Sequence, residues 1–407
     1  MNKKIASAYT LSLLATVLAA TLGGCGGGSG GSGNASTAPD TGNQTQVSTS
    51  LVPIILPGPV PADSPPPPTG GSYAMSLAIP PRHQWNANYG YCGETAFISA
   101  GLYYGQYVSQ YTARAAATPG LSQNDVNSQL LVSVNDLTAA ANMHLNAVEW
   151  NGLSNATTTS QYLAWIKGYV LAGYPVIMGI YVNQYQPGGN PATGFSSYDH
   201  IVPVNGIASS HPLVPGLNQT YYADDILQFS DNSGTNNANY PNQFTAPPVA
   251  AAYLFQYGFD KFQMTRTQAN AQAAPPYSLA LHSSSNNINS AVAITGVIDI
   301  NRETVPVRLA TDLNYENPAM SKGANTPPMA APLTLTATVY GLSVGVKYNV
   351  YQYDSLAAIP NSSFNANAAS ATQTFSFTAT DSTYVLPQVK IMSNQTAAFR
   401  AVPASAR

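Results

Sequence analysis

The spacing of the apolar residues changes once along the chain, and that change constrains the fold more than any other feature. Between Cys92 and Gly173 the spacing is helical. From Tyr174 onward the apolar residues run without interruption or alternate. In "CGETAFISAGLYYGQYVSQY", Phe97, Gly101, Tyr104, Val108 and Tyr111 lie four and three residues apart, which predicts one buried stripe of a helix beginning at Gly93 or Glu94. "SQNDVNSQLLVSVNDLTAAANM" predicts a second helical stretch with Ser122 or Asn124 as its cap. "TTSQYLAWIKGYVLAG" predicts a third, capped by a Thr or Ser at 158–160 and ended by Gly173. "YPVIMGIYV" is then a continuous β-branched and aromatic run, and "HIVPVNGI" and "DILQFSD" follow as two more strands. Helices first and strands later is the order of a segregated α+β fold, not of a doubly wound parallel sheet.

This first folded body is expected over residues 73–272. A second, over residues 273–407, contains "SAVAITGVIDI", "VPVRLAT", "PLTLTATVYGL", "KYNVYQYD", "TQTFSFTAT" and "STYVLPQVKIM", short alternating segments divided by Gly, Pro and Asn. That spacing predicts an all-β sandwich. "GLSVGVKYNVYQYD" resembles the turn and strand of fibronectin type III-like modules. His282 stands alone in a Ser/Asn-rich stretch, the context of a solvent-facing loop residue.

The N-terminus reads as an export and anchoring device. Lys3 and Lys4 precede the apolar run "LSLLATVLAATLGG", which is too short for a comfortable membrane span. "LGGC" at residues 22–25 resembles the lipobox of bacterial lipoproteins, which implies a signal peptide over 1–25 and a lipid on Cys25. The protein would then be exported and anchored to a bacterial membrane, the outer membrane or cell surface. Residues 26–72, with "GGGSGGSG" and "PPPP", have the composition of a disordered tether spanning on the order of 40 Å.

Charge narrows the partners. Charged residues make up 8% of the chain and the net charge is −3, so no basic surface argues for nucleic acid. No group of Cys, His and Asp has the spacing of metal ligands, and no cofactor is implied.

Cysteine usage then singles out one position. With Cys25 acylated, Cys92 has no disulfide partner in the sequence, and an exported protein has reason to keep a single thiol only where its reactivity is used. At the start of a helix that thiol faces free backbone N–H groups and the positive end of the dipole, both of which favour the thiolate. The same N–H groups can hold the oxyanion of an acyl-transfer intermediate, and Gly90 and Gly93 would let a substrate backbone approach. His200 stands at the start of a strand, in "SSYDHIVPVNGI", where an imidazole can act as base. The following strand ends at Asp231 and Asn232, either of which can hold a histidine tautomer. Glu94 reads as a structural residue of the first helical turn.

The order Cys, His, then Asp or Asn resembles the papain-like cysteine peptidases, and more closely the branch related to bacteriocin-processing, double-glycine-leader peptidases. "YCGETAF", "AGYPVIMGIYV", "DHIVPVNGI" and "ILQFSDNSG" carry the likeness, over about residues 80–240. The resemblance implies a papain-like fold, with N-terminal helices and a C-terminal antiparallel sheet. It makes Cys92 the nucleophile and His200 the general base. The third member is Asp231 in the bacteriocin-processing pattern and Asn232 in the papain pattern. The oxyanion side chain would be Asn86, at the family's spacing, or Gln84 two residues upstream. The expected function is that of a surface-tethered thiol hydrolase with a peptide or protein substrate. The alternatives are acyl transfer by the same triad, or an inactive peptidase-like fold serving as a binding or adhesion module.

Overall fold

The computed structural model describes residues 73–151 except 83, 86, 87 and 89; 159–182; 199–232 except 231; 254–260; 279–281; 290–312; and 330–405. Residues 1–72, expected to hold the leader, Cys25 and the tether, lie outside the described residues, as do Asn86, Asp231, His282 and the side chain of His200.

Strand β1 (Tyr73–Ser76) leads through a loop into helix α1 (Cys92–Tyr103), the two-residue strand β2 (Gln106–Tyr107) and helix α2 (Gln110–Ala117). Helix α3 (Asp136–Asn142), strand β3 (Leu145–Asn151) and helix α4 (Thr159–Leu171) complete the helical part. Strands β4 (Val176–Val182), β5 (Asp199–Ser209), β6 (Ile226–Ser230), β7 (Leu254–Gly258), β8 (Leu279–Leu281) and β9 (Ser290–Val297) follow. The remainder is β10 (Val307–Thr311), β11 (Pro332–Tyr340), β12 (Lys347–Tyr353), β13 (Gln373–Thr378), β14 (Thr383–Val385), β15 (Val389–Met392) and β16 (Ala397–Pro403). The fold is mixed α and β, with four α-helices and antiparallel sheets among the described residues.

Helix α1 differs from its expected form. The stripe Phe97–Tyr111 is broken after Tyr103, because Gly105 takes a left-handed turn (φ +74°) and Ser109 then caps α2, its hydroxyl accepting from the Thr112 N–H at 3.0 Å. Every residue of α1 is buried, so the helix has no wet face and serves as a core rod. The second expected helix is also shorter. Asp125 accepts the Asn127 N–H and closes a single 3-10 turn at Val126–Ser128, and α3 begins only at Asp136. The end of α4 matches its expectation. Gly173 (φ +89°) donates to Val170 O and Tyr174 to Tyr169 O, a Schellman cap whose outer residues meet with ring centroids 6.1 Å apart.

The large sheet runs β3-β9-β4-β5-β6-β7, with β1 added to β5 and β8 to β4. β9 lies between β3 and β4, so "SAVAITGV" belongs to the first sheet and not, as the sequence division at 272/273 had it, to the second body. One side of the sheet, with Ile177, Ile201, Val292 and Ile294, shares a core with α1, α2 and α3. The other, with Val176, Met178, Ile180, Val202, Val204 and Ala293, packs with Leu163 and Ile166 of α4.

Two four-stranded sheets form the C-terminal half: β10-β11-β14 with β15 on β11, and β13-β12-β16-β2. Val307, Leu309, Leu335, Val339, Tyr348, Val350 and Phe399 fill the space between them, and the same core continues into α1. The edge strand β2 comes from the N-terminal half: Ala397 pairs with Tyr107 and Ala398 with Gln106.

Candidate active site

Cys92 is the first residue of α1, after a Tyr91 N-cap that supplies no side-chain cap. The opening N–H groups of a helix have no intrahelical acceptor, so the backbone at 92–94 offers donors next to the sulfur. The loop before it is held by a buried cation. Arg114 of α2 donates to Glu94 Oε1 at 2.6 Å, to Asn88 O at 2.7 Å, to Gln123 O at 3.0 Å and to Gly90 O, and its guanidinium lies 3.6 Å from the centre of the Tyr91 ring. Arg114 and Glu94 are 0% and 1% exposed. Such a pair persists only because hydrogen bonds satisfy its remaining polar atoms. The sequence reading of Glu94 as structural is thereby explained. Arg114 itself was missed, although a lone charge within "QYTARAAA" is the mark of a buried cation in a chain this poor in charge.

Gly93 is needed for the chain's own packing. A Cβ there would lie 2.0 Å from the Leu130 carbonyl oxygen and 3.3 Å from Ile201 Cδ1. Leu130 N–H in turn donates to Glu94 Oε1 at 3.0 Å. The space left by the missing side chain is filled by residues 130 and 201, where the sequence suggested room for substrate.

Asn232 joins the pieces. Its side-chain amide donates to Cys92 O at 3.0 Å and to Ile201 O at 3.1 Å, while its own carbonyl accepts the Gln84 N–H at 2.8 Å. Two carbonyl acceptors on Nδ2 fix which way the carboxamide faces. Its Oδ1 is then a buried acceptor with no hydrogen-bond partner among the described residues. Gln84 is buried, and the next residue is anchored separately, Trp85 N–H donating to Gln110 Oε1 at 2.6 Å while its ring stacks on Tyr91. Residues far apart in sequence, Gln84, Cys92 and Asn232, are thus brought together. The backbone of His200 stands opposite Ile180, one residue before the carbonyl that Asn232 holds. Of the paired alternatives, Gln84 and Asn232 fall within this cluster; Asn86 and Asp231 lie outside the described residues.

The sulfur is not in the expected state. Cys92 is 2% exposed and is held in a disulfide, and no cysteine among the described residues is a free thiol. The only other cysteine of the sequence is Cys25. The expectation of an unpartnered thiol is corrected accordingly.

The other histidines within the described residues have structural partners. His144 Nδ1 lies 2.9 Å from Asn361 Oδ1, with burial lowering its pKa, and His211 stacks on Tyr222 at 3.6 Å. No group of metal-ligating side chains is present among the described residues. Comparison with protein-family models, with curated proteins and with solved structures finds no match.

Proposed function

We propose that the chain is an exported thiol hydrolase of papain-like type, acting on peptide or amide bonds. The observation that supports this reading is the convergence of Gln84, Cys92 and Asn232: the Asn232 carboxamide donates to Cys92 O and its backbone carbonyl accepts the Gln84 N–H. The reduced Cys92 sulfur attacks the carbonyl carbon. His200 takes the thiol proton and returns it to the leaving amine. The unpartnered Oδ1 of Asn232 accepts from the imidazole and fixes its tautomer, with Asp231 as the alternative third member. The backbone N–H at residue 92, with Gln84 or Asn86, holds the oxyanion. Water then releases the acyl group; an amine in its place would make the reaction an acyl transfer.

The lipid anchor and the thiol are linked by counting. A thioether and a disulfide cannot share one sulfur, so acylation of Cys25 would exclude a disulfide between Cys25 and Cys92. The anchored form is then the one able to react.

The test treats reduced protein with an electrophilic thiol probe between about pH 5 and pH 8. Labelling should persist at the acid end, as for a thiolate whose pKa lies below the ordinary value of about 8.5. It should slow in His200→Ala, and peptide hydrolysis should vanish in Cys92→Ser. Labelling that follows an ordinary thiol and is unmoved by His200→Ala would overturn the reading.

A second reading, a binding module on an inactive peptidase-like fold, is favoured by the burial and disulfide of Cys92. Under that reading no peptide is turned over in any redox state.

A further inference from the structure

At the opposite end of α1 from Cys92, about 18 Å along the helix axis, a cleft of about 430 Å³ opens between the end of β9 and the start of β10. That size is within the range of about 300–1,000 Å³ typical of small-molecule sites. Its walls carry three guanidinium groups, Arg302, Arg308 and Arg400, against one carboxylate, Asp299, together with the rings of Tyr104 and Tyr174.

The three arginines differ in what they already hold. Arg308 donates to Tyr103 O at the C-terminus of α1 and stacks on the Tyr103 ring at 3.5 Å, which fixes its position. Arg400 is 1% exposed. It donates to Gln106 Oε1 at 2.9 Å and to Phe399 O at 3.0 Å, and its Nε is buried with no hydrogen-bond partner among the described residues. Burial pushes its pKa down to about 10, the direction expected of a cation short of counter-charge. Arg302 is exposed and sits in the left-handed region (φ +56°), an uncommon conformation for a side chain of this size. The turn that imposes it is closed by Arg302 N–H on Asp299 O, and Asp299 Oδ2 accepts from both the backbone and the hydroxyl of Thr304. One oxygen of the only carboxylate is therefore committed to its own turn.

We propose that this cleft is a binding site for a small organic anion, its carboxylate or phosphate held by Arg302 over Arg400 and Arg308, and its body lying against Tyr104 and Tyr174. A planar guanidinium fork suits an oxyanion of either kind, and the two rings supply the apolar wall that a bare inorganic ion would not use. The site does not depend on the Cys92 reading.

The experiment titrates the full folded chain by calorimetry with benzoate, succinate and inorganic phosphate, using sodium chloride at matched ionic strength as control. An organic carboxylate should bind saturably and more tightly than chloride. Arg302→Asn, chosen because Asn accepts the left-handed backbone, should weaken that binding roughly tenfold or more with the melting temperature of the unliganded protein unchanged. Arg302→Lys keeps the charge and should lose less. Binding of phosphate alone, with benzoate and succinate like chloride, would overturn the organic body of the ligand. No binding beyond chloride, or equal binding in Arg302→Asn, would overturn the site.

Discussion

Replacing Glu94 by alanine should be among the most destabilising single changes in the N-terminal half. It leaves Arg114 charged, 0% exposed and without its carboxylate, and it removes the acceptor of the Leu130 N–H. Breaking a buried pair by removing one partner costs about 3–5 kcal/mol. Arg114→Met should cost a similar amount, since it strands Glu94 and takes a donor from the carbonyls of Asn88, Gly90 and Gln123. The double variant Glu94→Ala/Arg114→Met removes both charges together, so its cost should fall short of the sum of the singles by at least about 2 kcal/mol. Equilibrium urea unfolding at fixed redox state, followed by tryptophan fluorescence, measures all four corners of the cycle. Trp85 is a suitable reporter, stacked 4.9 Å from the Tyr91 ring that Arg114 covers. Singles costing less than about 1 kcal/mol, or strictly additive effects, would refute the view that this ion pair holds the loop in front of Cys92.

Three further outcomes follow from individual residues. Burial first, and then the Glu149 charge, raise the pKa of Asp136 from 3.8 to about 7; the folded state then binds more protons than the unfolded state between these values, so stability should fall as pH rises from about 4 to about 7 by at most on the order of 4 kcal/mol, and Asp136→Asn should flatten that slope in urea unfolding measured across the range. Gly93→Ala should cost more than an ordinary Gly-to-Ala change gains, roughly 2 kcal/mol or more, because the new methyl meets the backbone oxygen of Leu130 at 2.0 Å; a thermal melt checks it, and an unchanged midpoint would contradict the packing described. Intact mass of membrane-extracted protein, alkylated before and after reduction, should show either a lipid on Cys25 with Cys92 alkylated without reduction, or no lipid and alkylation of both cysteines only after reduction; a lipidated protein whose Cys92 resists alkylation even when denatured would contradict the counting.

The strands were legible because their signal is local. β4, β5 and β6 sit where uninterrupted β-branched runs end in polar residues, and Gly173 ends α4 by a turn that only its own backbone has to satisfy. The helix through Gly105 was misread for the converse reason. Apolar residues on both sides keep the period of three and four, while the left-handed glycine and the Ser109 cap that break it are single residues inside the pattern. The placement of β9 was not legible, because nothing in "SAVAITGV" states which edge it will join; pairing with both β3 and β4 is decided by partners more than a hundred residues away. Strand β16 was passed over, since "AAFRAVP" carries a charge at its centre, and that charge is buried with hydrogen bonds to Gln106 Oε1 and Phe399 O. At the site, a nucleophile-like position could be read from Cys92 at a helix start, and Asn232 from the end of a strand. The partners of Arg114 and the disulfide on Cys92 are tertiary facts: the lone charge in "QYTARAAA" marks a buried cation but not the carboxylate and carbonyls that it holds.

The pairing of Gln106–Tyr107 with Ala397–Ala398 has a practical consequence for anyone dividing this protein. The Tyr107 hydroxyl donates to Ser393 O at 2.6 Å, and Arg400 and Arg308 reach back to Gln106 and Tyr103. A cut anywhere between residues 298 and 390 therefore yields fragments that each lack part of a shared interior: a rod exposed along one side, and a sheet missing its last edge. Neither piece should express as a soluble body by itself, whereas the two produced together should reassemble, which makes this junction a natural place to split the protein into complementing halves.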